Sequence, residues 1–287
     1  MLRVDCHLHP NFPFFLPEFF VRRHAEKLWA TFRKRKLDAV FVAEHAFKHP
    51  FRSYRTLLKY RPKGATTQII PAVEALTREG IDMIVFSKDM YVYTQRDIIT
   101  PYRLTIKQLV SRVQKDRRLH GVIPHPFAPS DSGILRHYSE AIARKDETIL
   151  RFVEKYNASL TALEQFLSTL HLTRVLRQLS LSARNTTRLP VRLIPRGLTF
   201  LGGSDAHHVW DMGSCLVIHG PKPRTYADAF RTITSPRYKR TFVWRNHRHP
   251  LLSMISDGIT AFREHLMRKW KLYGVDLLPS QTLARQS

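Results

Sequence analysis

Short apolar runs alternate with longer helical patterns along this chain, and this alternation constrains the fold more than any other feature of the sequence. Residues 2–8, 37–43 and 69–75 are predicted strands, and a helical period follows the first of them over residues 19–36. Strands that alternate with helices favour parallel β/α units, in which helices cover the sheet. The pattern therefore predicts an α/β fold.

The later part of the chain continues the same pattern. Further strands are predicted at 81–87, 122–124, 159–166, 199–202 and 216–219, and helices at 104–115 and 138–156. Two cysteines, Cys6 and Cys215, are too few for a disulfide framework and favour a reducing compartment. The sequence contains no run of about 18 apolar residues, which a membrane-spanning helix would need. We therefore expect a cytoplasmic protein without a transmembrane segment.

The chain is strongly basic, with 47 Lys and Arg against 23 Asp and Glu and a formal net charge of +24. Such a charge attracts anions, including phosphorylated metabolites, nucleic acid and acidic membrane surfaces. It is equally consistent with solvated basic faces that bind nothing specific. We expect an anionic phosphorylated substrate as the partner, with nucleic acid as an open second choice.

Residues that commonly bind metals stand at or just after the C-terminal ends of the predicted strands. In chain order they are His7 and His9, His45, Glu74, His125, and Asp205 with His207. In β/α barrels the active site forms at this end, from the strand tips and the loops that follow them. These positions therefore predict one metal site assembled from several strands.

His7 and His9 are two residues apart in a predicted strand, so their rings point to the same side. Two imidazoles about 6–7 Å apart along a strand can bind one metal ion, although a His-x-His pair alone is also found without a metal. Cys6 lies between them and faces the other way. We therefore do not expect Cys6 to be a ligand.

Glu74 lies in an otherwise apolar strand, where an ionised carboxylate is costly unless it is paired or bound to a metal. A carboxylate can also bridge two ions, which an imidazole cannot do. A structural salt bridge is the alternative for this residue. Asp82, near the start of the next strand, is expected either to join a second ion or to pair with an arginine.

The remaining candidates follow from local backbone chemistry. His125 lies between two prolines that restrict its direction, and Asp205 and His207 follow two glycines that allow a close backbone approach. Glu44 and His45 are neighbours in a strand and face opposite sides of it. We therefore expect His45 to be a ligand and Glu44 to support the site.

Together these segments resemble the PHP superfamily, the polymerase and histidinol phosphatase domains. The matching segments occur in the family's order, at residues 5–10, 44–45, 74, 125–126 and 204–207. The resemblance implies a distorted (β/α)7 TIM-like barrel of the PHP type. It also implies a hydrolase that cleaves phosphoesters with two or three divalent metal ions, for which the mixed ligands suit Zn, Mn or Fe.

The resemblance also implies a distribution of ligands among the ions. In the family's pattern they would be His7, His9, Glu74 and Asp205 for the first ion, Glu74, His125 and a residue near Asp82 for the second, and His45 and His207 for the third. Residues 11–15 contain no histidine, whereas many relatives use one there to complete the third site. The alternative is a two-ion site in which His45 and His207 contact the substrate and one of them protonates the leaving oxygen.

Three further expectations concern the rest of the chain. Arg22, Arg52 and Arg55 follow ligand-bearing strands and are expected to hold the substrate phosphate. The barrel is expected to span residues 1–220, and a basic extension over 221–287 to pack a helix against it. A nuclease with the same chemistry, or a non-catalytic metal-binding relative, remains the alternative function.

Overall fold

A computed structural model describes residues 1–126, 133–134, 137–157, 198–213, 215–243, 266 and 270 of the chain. In this part the strands are β1 Leu2–Leu8, β2 Ala39–His45, β3 Gln68–Leu76, β4 Asp82–Ser87, β5 Leu119–Val122, β6 Phe152–Asn157, β7 Thr199–Gly203, β8 Cys215–His219 and β9 Lys239–Val243. The α-helices are α1 Glu18–Lys34, α2 Pro50–Lys59, α3 Arg96–Ile99, α4 Ile106–Lys115, α5 Glu140–Leu150 and α6 Tyr226–Thr234.

Seven strands form one mixed sheet in the order β5-β4-β3-β2-β1-β8-β9, and β6 and β7 form a separate parallel pair. The predicted (β/α)7 TIM-like barrel is therefore wrong. Only β1, β2 and β3 run parallel in the main sheet, whereas β4, β5, β8 and β9 each pair with their neighbours antiparallel. The physical reason is the short connection between β3 and β4 over residues 77–81, because a parallel crossover needs about a dozen residues or more.

Strand β1 brings the two sheets together. Its first half pairs with β8, with Leu2 opposite Ile218. Its end instead meets the loop after β7, where Leu8 bridges Ala206 and the backbone N–H of His9 donates to the carbonyl of Ala206 at 3.1 Å. The ends of β1 and β7 therefore lie side by side, although almost 200 residues separate them in sequence.

Helix α1 covers one face of the main sheet. The spacing of its apolar residues explains why this segment is helical. Its buried side chains recur at helical spacing and are Val21, Ala25, Leu28, Trp29 and Phe32. The indole of Trp29 donates to the carbonyl of Leu57 in α2 at 3.0 Å. This contact fixes α1 against α2, the helix that follows β2.

The opposite face of the sheet forms a second apolar core. Cys6 is buried there with Val4 and with the aromatic rings of Phe41, Phe86 and Phe152. Cys6 thus packs on the side of β1 away from the histidines, as its place between them in a strand requires.

The predicted helix over 138–156 is only partly right. Helix α5 ends at Leu150, Arg151 takes a left-handed conformation with φ 66°, and the chain then enters β6. Left-handed caps usually carry glycine, so Arg151 offers no sequence signal for this break.

Beyond residue 220 the chain adds α6 and β9, and β9 pairs with β8 at the edge of the main sheet. The predicted strand over 159–166 lies outside the described residues. The part of the predicted basic extension beyond residue 243 also lies outside them, apart from Leu266 and Trp270. Among the described helices, none is long and apolar enough to cross a membrane.

Candidate metal centre

Seven of the eight predicted ligands converge where β1, β2, β3, β5 and β7 end. They form three overlapping groups, in each of which the potential ligand atoms lie within 4.8 Å of one another. The groups are His7 with His9 and Asp205, His7 with Glu74 and His125, and His9 with His45 and His207. Because the groups share members, the seven side chains form one cluster.

The first group has the spacing of ligands around a single ion. The Nε2 atoms of His7 and His9 are 3.0 Å apart, and they lie 3.4 and 3.2 Å from Oδ1 of Asp205. Metal–ligand bonds of about 2.0–2.1 Å at tetrahedral angles separate neighbouring ligand atoms by roughly 3.3 Å. The three atoms therefore suit a common ion without rearrangement.

Glu74 lies at the centre of the cluster and is buried. Its Oε1 is 3.1 Å from Nε2 of His125 and 3.5 Å from Nε2 of His7. Its Oε2 is 2.6 Å from Nδ1 of His45 and 3.5 Å from Nε2 of His9. One carboxylate thus reaches four imidazoles, which is the arrangement a bridging ligand requires.

The fold explains how these residues meet. In the parallel ladder of β2 and β3, His45 stands directly opposite Glu74. Gly203 in β7 allows the closest approach, because a Cβ there would lie 2.4 Å from the backbone nitrogen of His7. Any other residue at position 203 would push β7 away from β1, and Asp205 would move with it.

A family model described as PHP-associated, PHP_C, matches residues 195–231, which include Asp205 and His207. The crystal structure of PsfC from Pseudomonas syringae PB-5123 is similar with a TM-score of 0.55 and 18% identity, and the match covers 93% of this chain and all of PsfC. The match over residues 195–231 supports the resemblance to the PHP superfamily, and the likeness to PsfC indicates a similar fold.

The crystal structure of an Endonuclease Q complex with a 27-mer duplex substrate with an abasic lesion at the active site has a TM-score of 0.47 and 11% identity. That match covers 81% of this chain and 56% of the endonuclease. No curated protein matches the sequence.

A second layer of side chains holds the cluster in place. Glu154 in β6 lies 3.1 Å from Nδ1 of His7 and accepts a hydrogen bond from the backbone N–H of His125. If His7 donates through Nδ1, its Nε2 lone pair faces the cluster, so this contact orients the ligand. Glu154 is not among the predicted site residues, because the helix predicted over 138–156 would not bring it to the strand ends, whereas it lies in β6.

Two other contacts support the loop after β7. Asp5 accepts hydrogen bonds from the backbone N–H of Ser204 at 2.8 Å and from its hydroxyl at 2.6 Å. Burial raises the pKa of Asp5 to about 6, although these hydrogen bonds act in the opposite direction. The side-chain amide of Asn157 donates to Oδ2 of Asp205 at 2.9 Å, which leaves Oδ1 facing the two histidines.

Mutual attraction between imidazoles and carboxylates dominates the electrostatics of the cluster. Burial by itself would raise the pKa of Glu74, but the charge of His45 and hydrogen bonds to nearby imidazoles hold it well below its usual value. Burial by itself would lower the pKa of His125, but its hydrogen bond to Glu74 raises it to about 9. Such a set of buried nitrogen and carboxylate donors fits a divalent metal, which would replace the protons as the balancing charge.

The structure separates Asp82 from the other predicted ligands. Asp82 opens β4 opposite Leu76 and is in none of the three ligand groups found among the described residues. The antiparallel hairpin explains this, because it places Ile84 rather than Asp82 beside Glu74.

The three predicted phosphate-binding arginines lie on exposed helix faces. Arg22 pairs with Glu26 within α1 at 2.8 Å. The guanidinium of Arg52 lies 4.1 Å from the centre of the Phe14 ring, and that of Arg55 lies 5.6 Å from the centre of Phe51. Hydrogen bonds instead connect Lys48 to the cluster, because its Nζ donates to Oδ1 of Asn11 at 2.9 Å and Asn11 contacts His207.

Proposed function

We propose that this chain is a metal-dependent phosphoesterase whose cluster holds two divalent ions bridged by Glu74. The observation that carries the proposal is the central position of Glu74, which lies within 3.5 Å of nitrogen atoms of four histidines. In this proposal His7, His9 and Asp205 hold one ion. The second ion would be held by Glu74 and His125.

The chemistry of imidazole supports a count of two ions in this proposal. A ring nitrogen has one lone pair, so a histidine whose other nitrogen is hydrogen-bonded can ligate one ion only. His7 belongs to two of the three groups and has its Nδ1 beside Glu154, and His9 also belongs to two groups. The three groups therefore cannot all be filled by separate ions. A carboxylate has more acceptor positions, which is why Glu74 is the proposed bridge.

A divalent pair would supply activation of water for in-line attack on phosphorus and neutralisation of charge on the phosphoryl oxygens. The protein side chains have complementary tasks in this proposal. Glu154 and Asn157 hold His7 and Asp205 in their ligating directions. Lys48 adds a positive charge beside the cluster, which favours an anionic substrate. His45 and His207 line the same cluster and are the groups proposed to contact the bound ester.

The metal can be Zn, Mn or Fe, because a mixture of imidazole and carboxylate ligands suits all three. The direct test is to strip the purified protein with a chelator and reload it with each metal in turn. Hydrolysis of an aryl phosphate should disappear on stripping and return on reloading. A stripped protein that retains full turnover would overturn the proposal.

A second candidate function is a nuclease that uses the same site. The observation in its favour is the net charge of +24, which far exceeds what a small phosphate ester needs. A protein that binds a nucleic-acid strand loses affinity steeply as salt rises, with a slope set by the number of phosphate contacts. Activity on an oligonucleotide with a steep salt dependence, together with weak activity on an aryl phosphate, would favour the nuclease.

A further inference from the structure

Asn11 occupies a constrained position between the cluster and Lys48. It follows His9 and Pro10 directly and has a left-handed backbone, with φ 48°. Its backbone N–H donates to Oε2 of the buried Glu44 at 2.7 Å. Asparagine tolerates this conformation better than most residues, so the residue type and the backbone agree.

The orientation of the Asn11 amide is determined by its partners. An ammonium group has hydrogens to donate and no lone pair, so the atom that faces Nζ of Lys48 at 2.9 Å must be the amide oxygen. The amide nitrogen then faces His207, 3.2 Å from its Nδ1 and 3.1 Å from its carbonyl oxygen. Both amide hydrogens are directed at the same residue.

This contact sets the tautomer of the His207 ring. Because the amide nitrogen can only donate, Nδ1 of His207 must accept, and a neutral ring that accepts at Nδ1 carries its proton on Nε2. Nε2 is the nitrogen on the cluster side, 3.8 Å from Oδ1 of Asp205. A protonated Nε2 has no lone pair for a metal ion.

We infer that Asn11 is a positioning residue that holds His207 as an Nε2–H donor to an oxygen of the substrate phosphate rather than as a metal ligand. The inference rests on the proposed phosphoesterase function. The group of His9, His45 and His207 then loses one of its three nitrogen donors, which leaves the site with two ions. A neutral imidazole in such a place stabilises developing negative charge by a hydrogen bond.

The tautomer can be observed directly by long-range ¹H–¹⁵N NMR of the zinc-loaded protein. His207→Gln identifies the His207 signals among the 15 histidines of the chain. We expect a protonated Nε2 and an unprotonated Nδ1. A protonated Nδ1 with Nε2 unprotonated or bound to zinc would overturn the inference.

Asn11→Asp is a nearly isosteric variant that reverses the constraint. A carboxylate can still accept from Lys48 and tolerates the same backbone, but it now requires a proton on Nδ1 of His207. We expect the proton to move to Nδ1, the zinc content at saturation to rise from two to three per chain, and kcat to fall about 10- to 100-fold with a smaller change in KM. Unchanged tautomer and zinc content in this variant would contradict the inference.

Asn11→Ala serves as the matched control, since it removes the constraint without imposing the opposite one. It should show a mixture of tautomers and a smaller fall in kcat than Asn11→Asp. If Asn11→Asp does not fold, the NMR measurement on the wild-type protein still decides the question. A wild-type protein that binds no metal and hydrolyses no phosphate ester would refute the proposed function, whereas an active two-zinc protein with the opposite tautomer would refute only the role of Asn11.

Discussion

His120 lies near the start of β5 and His125 three residues after its end, and their surroundings give them opposite properties. The His120 ring lies 5.1, 5.8 and 5.5 Å from the rings of Phe86, Phe152 and Phe230. Burial there lowers its pKa to about 4. His125 is also buried, but its hydrogen bond to Glu74 raises its pKa to about 9.

The comparison shows that burial alone does not make a histidine a functional residue. Among aromatic rings, burial disfavours the charged imidazolium, so His120 stays neutral as part of an apolar core. Beside Glu74 the effect of burial on His125 is outweighed by the carboxylate, which favours a protonated imidazole or one bound to a metal ion. We therefore expect the functional site beyond the C-terminal end of β5, where His125 lies beside the carboxylate of Glu74.

Substitutions in the cluster should have the largest effect. Asp205→Asn and His9→Ala each remove a ligand, and losing several kcal/mol of metal-based stabilisation should reduce kcat/KM by at least about 10³-fold while the fold is retained. Turnover of a metal-loaded variant and its circular dichroism spectrum would measure both. Wild-type turnover in either variant would show that the cluster is not the active site.

Cys6→Ala is the control for these variants, because Cys6 belongs to the opposite core. Its metal content should be that of the wild type, with a loss of about 1 kcal/mol in the free energy of unfolding. Loss of metal from a folded Cys6→Ala protein would contradict the assignment of faces on β1.

Glu154→Gln should have the second-largest effect. The substitution keeps the shape of the side chain but removes the charge beside Nδ1 of His7, and loss of such an orienting carboxylate costs about 10- to 100-fold in metal affinity or activity. Competition with a coloured chelator would measure the affinity. An unchanged affinity would mean that β6 supports the site only through its backbone.

His120 should affect stability rather than activity. Because the folded-state pKa is about 4 and the unfolded value about 6.5, the unfolded chain binds the extra proton as pH falls from 6.5 to 4. The free energy of unfolding of the metal-free protein should therefore fall by about 2 kcal/mol between pH 6.5 and pH 4 because of His120. Above pH 6.5 His120 should cause no such loss. In His120→Phe, urea unfolding at pH 7.5 and 4.5 should show a smaller pH dependence. If the free energy of unfolding depends equally on pH in the wild type and in His120→Phe, the desolvated environment of His120 is contradicted.

Arg22→Ala should have the smallest effect. Arg22 and Glu26 are both exposed, and ion pairs of this kind contribute little to stability. We expect kcat/KM on an aryl phosphate to stay within about twofold and thermal unfolding to be nearly unchanged. A large rise in KM would instead support the sequence-based prediction that Arg22 binds the substrate phosphate.

The cluster could be predicted from the sequence largely because buried strands leave little choice of residue. His7, His9 and Glu74 are polar side chains in apolar runs, and such residues need a partner when they are buried. The arginines on α1 and α2 could not be assigned in this way. An exposed charge is solvated without a partner, so its position in sequence says little about its role.

The fold class and Glu154 were missed for separate physical reasons. The alternation of strands and helices predicts parallel β/α units. The short connection over 77–81, however, permits only an antiparallel hairpin between β3 and β4. Residues 138–156 have helical composition throughout, and the turn into β6 depends on Arg151 in a left-handed conformation, which its residue type does not indicate. Residues 152–157 form a strand because they pair with β7, a contact that is distant in sequence.

The most direct test of the central claim is the metal content of the purified protein, measured by elemental analysis after loading with zinc and removal of excess metal. The account predicts two ions per chain in the wild type and a loss of at least one ion in Asp205→Asn. A folded wild-type protein that retains no metal under these conditions would contradict the two-ion centre.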